Sequence, residues 1–180
     1  MRTFVALELP ERFAIETAAL SRKLEAALEG RFLASSTHHL TLAFLGEVGE
    51  PEIAAATDAL EAACTDVPPL SLRSDGLGKF GRANDSTLWL GIASTPQLER
   101  LARAVREQLA ARGVAFDPKP FKPHVTLARR VRIPRTDLPA LAFPEDDGAT
   151  TVTLFKSTLG REGAMYRPLH STTLTGAAGR

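Results

Sequence analysis

A single cysteine, Cys64, stands among the 180 residues, so no internal disulfide can brace the chain. Its alanine-rich setting fits a reducing cytosol and the part of a small core residue. No uncharged run reaches eighteen residues, which excludes a membrane-crossing helix. The apolar opening, Phe4 to Leu9, is too short for a secretory signal and is interrupted by Glu8, so the expected location is the cytoplasm. A charge excess is also lacking. With 22 basic and 21 acidic side chains the net charge is +1, which predicts no blanket attraction to nucleic acid. Walker A, H-E-x-x-H, G-x-S-x-G and paired C-x-x-C motifs are missing as well. The one G-x-G-x-x-G, Gly76 to Gly81, precedes no helix and is not read as a dinucleotide loop.

What is present is ordinary globular material, 44% apolar and 24% charged, long enough to bury a core. It is expected to form one domain over 1–180, built of two halves. Strand patterns fall at Phe4 to Leu9, His38 to Leu45, Leu70 to Leu72, Thr87 to Ile92, Val125 to Leu127, Thr151 to Leu159 and Tyr166 to Leu174. Helical stripes run from Pro10 to about Leu28 with Gly30 as the stop, from Pro51 to Cys64, and from Pro96 to Arg112 before Gly113. The glycine-rich stretch Gly76 to Gly81 reads as a loop within a hairpin, and the tail past Gly176 as frayed. This mixture predicts an α+β fold rather than a doubly wound parallel sheet.

One tetrapeptide recurs: His39-Leu40-Thr41-Leu42 and His124-Val125-Thr126-Leu127, 85 positions apart and each followed by Ala. With four His and seventeen Thr in the chain, H-apolar-T-apolar should occur only about 0.07 times. On a strand each copy turns its His and Thr to one face and its two aliphatic residues into the core. Two such pairs facing each other suit a phosphodiester, because imidazole gives or takes a proton near neutrality and the reaction needs one base and one acid. Threonine hydroxyls and an arginine would hold the phosphate oxygens. The second motif also lies within a run of cations without an acid: Lys119, Lys122, Arg129, Arg130, Arg132 and Arg135.

The motifs and their flanks, Phe4-Val5-Ala6-Leu7-Glu8-Leu9-Pro10, His39 through Val48, and Pro120 through Arg129, resemble the two-histidine phosphoesterases, in particular the bacterial RNA 2′,3′-cyclic phosphodiesterases also called 2′-5′ RNA ligases. Leu88-Trp89-Leu90-Gly91 and the stretch Leu154 to Leu169 are weaker echoes. The resemblance implies a bilobal α+β fold with two antiparallel sheets, pseudo-two-fold symmetry, a central cleft and the helices outside. It implies a monomer without cofactor or metal that hydrolyses RNA 2′,3′-cyclic phosphate ends, or cyclic nucleotides, to 2′-phosphates, and reverses to 2′-5′ ligation. By the same resemblance His124 is the base and His39 the acid, and Thr41, Thr126 and Arg129 bind phosphate. Phe44 and Phe121, next to the motifs, are candidate base-stacking surfaces, each with the alternative of a core aromatic, since Phe44 shares the alternation of Leu40 and Leu42. Thr37 stands where the family often carries Asn. His38 should point away from His39, and His170, which opens a loose H-x-T, breaks the half-chain symmetry. Two other readings remain: a metal-dependent phosphohydrolase with His39, His124 and His170 as ligands, and a non-catalytic RNA-end or phosphate-binding module gripping through the Lys119 to Arg135 run. No membrane or protein partner is expected.

Overall fold

A computed structural model of the chain describes residues 1–178. The strand β1 (Arg2–Glu8) has both faces buried, which is why its sequence is a nearly continuous apolar run: Val5 and Leu7 enter the main core, while Phe4 and Ala6 join a smaller cluster with Phe155. β1 is paired antiparallel on one side with β3 (His39–Glu47) and on the other with β9 (Thr151–Gly160), which pairs with β10 (Gly163–Thr173). The sheet order is β10-β9-β1-β3. A second antiparallel sheet joins β2 (Glu29–Phe32), β5 (Ser74–Arg82), β6 (Asp85–Ile92) and β7 (His124–Arg132) in the order β2-β7-β6-β5. A two-stranded sheet of β4 (Leu70–Leu72) and β8 (Asp147–Ala149) completes the set, so the class is α+β, as expected.

The sequence repeat becomes a structural one. β1, helix α1 (Glu11–Ala27) and β3 are matched by β6, helix α3 (Pro96–Ala111) and β7. Glu8 stands opposite His39 and Ala6 opposite Thr41; Gly91 stands opposite His124 and Trp89 opposite Thr126. Helix α2 (Glu50–Cys64) packs on α3 and covers the side of the first sheet formed by β9 and β10. α3 has the anticipated stripe, Leu98, Leu101, Ala102, Val105 and Leu109 all buried, with the Thr95 hydroxyl accepting from the Leu98 N–H at its start and Gly113 at φ +72° after its end. Cys64 is buried in the core, and burial pushes its thiol up to about 12. Among the described residues no helix is long and apolar enough to cross a membrane.

Three expectations are corrected. Gly30 does not stop α1; it lies inside β2, where a Cβ would come within 2.8 Å of Val131. Gly76 to Gly81 is not a loop but most of strand β5. Its Gly78 carries no side chain because the Trp89 indole lies on it, 2.0 Å from where a Cβ would be. In β3 the register shifts between Thr41 and Ala43, a bulge at Leu42, so Phe44 is not on the core face with Leu40 and Leu42 but on the face of His39 and Thr41. Gly176 still bonds through its N–H to the Val67 carbonyl, and the last two positions of the expected frayed tail, 179 and 180, lie outside the described residues.

Candidate active site

β3 and β7 pack against each other across the two sheets and turn their His-x-Thr faces into one cleft of about 590 Å³. His39, Thr41, His124, Thr126, Arg129 and Phe44 all line it. Phe121 does not. Its ring packs against the main core and faces Arg106, beside a separate shallow depression along α3.

The two imidazoles are held differently. The His124 Nδ1 lies 2.5 Å from the Lys122 carbonyl oxygen. A carbonyl only accepts, so Nδ1 carries the proton and donates it, leaving Nε2 with a free lone pair in the neutral ring. Phe80 meets this imidazole edge-on at 5.3 Å and Trp89 lies at 5.7 Å. His39 is instead set among rings: stacked on Phe4 at 4.8 Å, with Tyr166 edge-on at 5.0 Å and Phe155 at 5.8 Å. Burial, with the neighbouring His38 adding to it, holds His39 down to about 4. His124 is also lowered, chiefly by burial; the Lys122 carbonyl bond opposes this, and the charges of Lys122 and Arg129 reinforce it.

Of the basic run in the sequence only Arg129 lines the cleft. Lys119 pairs with Asp117 at 3.6 Å and Arg132 with Glu29 at 3.8 Å. Arg2 and Arg31, from β1 and β2, supply the cleft's other guanidinium groups, and Arg2 lies over the Phe44 ring at 5.0 Å. Tyr166 enters from β10, its phenol pushed up by burial while Arg129 and Arg2 pull the other way, so it stays a proton donor near neutrality. These three residues carry no motif; only their position on strands beside the two histidines could have marked them.

Thr37 lines the cleft and donates its hydroxyl to the Ala34 carbonyl at 2.7 Å, closing the 3-10 turn Ser35–Thr37 ahead of β3. His38 is buried, with neither ring nitrogen hydrogen-bonded. His170 lies on the side of the first sheet facing α2, its Nε2 2.6 Å from Glu61. It is not at the cleft, so the three-histidine metal site is not assembled. Among the described residues no three His, Cys, Asp or Glu side chains converge as metal ligands would.

Comparison with known proteins agrees with this geometry. The family described as the 2'-5' RNA ligase superfamily matches residues 9–150. The RNA 2',3'-cyclic phosphodiesterase of Escherichia coli is 33% identical over 175 residues, covering 97% of each chain. Among solved structures, TT0787 of Thermus thermophilus superposes with a TM-score of 0.83 at 27% identity, over 99% of this chain and all of the other. E. coli LigT complexed with 3'-AMP gives a TM-score of 0.76 at 30% identity over 97% of each chain.

Proposed function

Because the chain belongs to the 2'-5' RNA ligase superfamily, we propose that it is an RNA 2′,3′-cyclic phosphodiesterase, opening cyclic ends to 2′-phosphates by acid-base catalysis between His124 and His39. It acts as a monomer in the cytoplasm, its cleft formed within a single domain. The observation that carries the proposal is the pair of His-x-Thr strands facing one cleft, with the Lys122 carbonyl holding the proton on His124 Nδ1.

His124 Nε2 takes a proton from water, and the oxygen attacks phosphorus from the side opposite O3′. The P–O3′ bond breaks, and His39 gives its proton to O3′, leaving a 2′-phosphate and a free 3′-hydroxyl. The electrons and protons balance without a further reactant. In the empty cleft His39 is neutral at pH 7; a phosphodiester anion beside it favours the imidazolium and loads the acid as substrate binds. Thr41, Thr126 and Arg129 hold the non-bridging oxygens, joined by Arg2, Arg31 and Tyr166 from the same lining. Phe44, with Arg2 over it, is a stacking surface for the terminal base. A 5′-hydroxyl in place of water would give a 2′–5′ linkage by the same steps.

The test is phosphorus NMR of a short RNA ending in a 2′,3′-cyclic phosphate, incubated with the protein in excess EDTA. The expected product is the 2′-phosphate, and His39→Ala or His124→Ala should each cut the rate by about 10²–10⁴-fold. A 3′-phosphate would reverse the leaving group; a cyclic signal that opens only when metal is restored would overturn the two-histidine mechanism.

A further inference from the structure

The cleft face of the second sheet does not end at His124. It continues outward over Trp89 on β6 to Phe80 on the edge strand β5, because Gly78 opposite Trp89 leaves the indole lying flat between them. Phe80 is 41% exposed although its ring lies edge-on against the half-buried imidazole of His124. The Lys122 ammonium stands 4.9 Å from the Trp89 ring and 5.4 Å from that of Phe80, and forms no ion pair among the described residues. Around His39 the arrangement differs. There the rings nearest the imidazole, Phe4 and Phe155, are buried against each other, and the proposed stacking surface is Phe44, further along β3. An aromatic ring open to solvent beside a free cation is the pairing that holds a nucleotide, base on ring and phosphate on ammonium.

We infer that Phe80, Trp89 and Lys122 form a second nucleoside subsite, which takes the 5′-hydroxyl end of an RNA strand. This rests on the proposed roles of the two histidines, since it lies on the His124 side, where the attacking oxygen must be. A base stacked on Phe80 carries its ribose toward the imidazole 5.3 Å away and sets the 5′-oxygen in the place of water. That oxygen bonds to phosphorus, its proton passes to His124 Nε2, the P–O3′ bond breaks, and O3′ takes the proton of His39. The product is a 2′–5′ phosphodiester with a free 3′-hydroxyl; in reverse, the subsite holds the nucleoside released from such a linkage. Lys122 would meet the next phosphate of the strand.

Two measurements test it. Phe80→Leu should lower kcat/KM for cleaving a 2′–5′-linked diadenosine monophosphate about ten-fold or more, the size of one lost stack, and leave hydrolysis of 2′,3′-cyclic AMP within about two-fold; Phe80→Tyr should restore cleavage. Trp89 is the one tryptophan, so adenosine titrated into the wild type should quench its emission, and should fail to do so in the Phe80→Leu protein. Equal loss on both substrates would overturn the subsite and leave Phe80 as a support for His124. Hydrolysis of the cyclic phosphate without an adenosine quench would also overturn it while sparing the proposed function. A Phe80-dependent quench in a protein that opens no cyclic phosphate would do the opposite.

Discussion

His39 and His124 have the same chemistry and unequal surroundings, and a pH profile should show it. Both lie below the ordinary imidazole value of 6.5, His39 at about 4. In the proposed mechanism turnover needs one proton on the pair. At low pH both rings are charged and the base is lost; at high pH both are neutral and the acid is lost. With both groups lowered, kcat/KM, which reports the free enzyme, should peak below pH 6.5. The peak in kcat should lie higher, because the bound phosphodiester anion raises both groups. A kcat/KM maximum at pH 7 or above would contradict this. His38 gives a second prediction. Buried without a hydrogen-bond partner, it is lowered from 6.5 by desolvation, so as pH falls below 6.5 the unfolded chain takes up a proton that the folded one refuses. The stability is whole above that value and is lost toward the lowered one. His38→Leu should therefore unfold at a higher temperature than the wild type at pH 5, and calorimetry from pH 7 to 5 should show a shallower decline.

At the scale of elements, the hairpin of β5 and β6 depends on one missing side chain. Gly78→Ala puts a Cβ 2.0 Å from the Trp89 ring, so the indole must leave its seat. The expected cost is about 1–3 kcal/mol, read from urea unfolding together with a shift in tryptophan emission. Nothing local announces this. Glycines are poor strand formers, and a stretch with three of them in six residues reads as a loop until Trp89, paired across the turn, supplies the reason. The helices were legible for the converse reason. The stripe and caps of α3 lie within one continuous segment, so periodicity alone identifies the buried face. In β3 periodicity misleads, since the bulge at Leu42 reverses the alternation and delivers Phe44 to the cleft.

Across the whole molecule, the two motif strands must keep their spacing if, as proposed, His124 is to take a proton on one side of the phosphorus while His39 gives one up on the other. Arg106 of α3 ties β3 to the segment that leads into β7: its Nε donates to the Leu42 carbonyl at 3.1 Å and its Nη1 to the Lys119 carbonyl at 2.8 Å, while the Asp117 N–H donates to the Phe44 carbonyl at 2.8 Å. Arg106→Met keeps the aliphatic stem and removes both bonds. It should cost about 1.5–3 kcal/mol in stability. Steady-state kinetics on folded protein should show a loss of about ten- to a hundred-fold, more in kcat than in KM, because the strands lose their mutual position rather than their chemistry.

The sequence by itself picked out the pair of histidines proposed to be catalytic. A His and a Thr two positions apart on a strand share a face whatever the rest of the chain does, and the repetition of that pattern marked both sides of the candidate site, while the mixture of strand and helix patterns gave the α+β class. Arg129 came with it, close by on the same strand. What the tertiary structure decided lies off those strands. Arg2 and Arg31 reach the cleft because sheet pairing sets β1 beside β3 and β2 beside β7, Tyr166 reaches it from β10 at the far edge of the first sheet, and Phe121 is turned away toward Arg106 although it stands three residues before His124. Local pattern specifies the direction of a side chain within its own element. Which other elements share its cavity is set by long-range pairing and packing, for which a residue's neighbours in sequence hold no record.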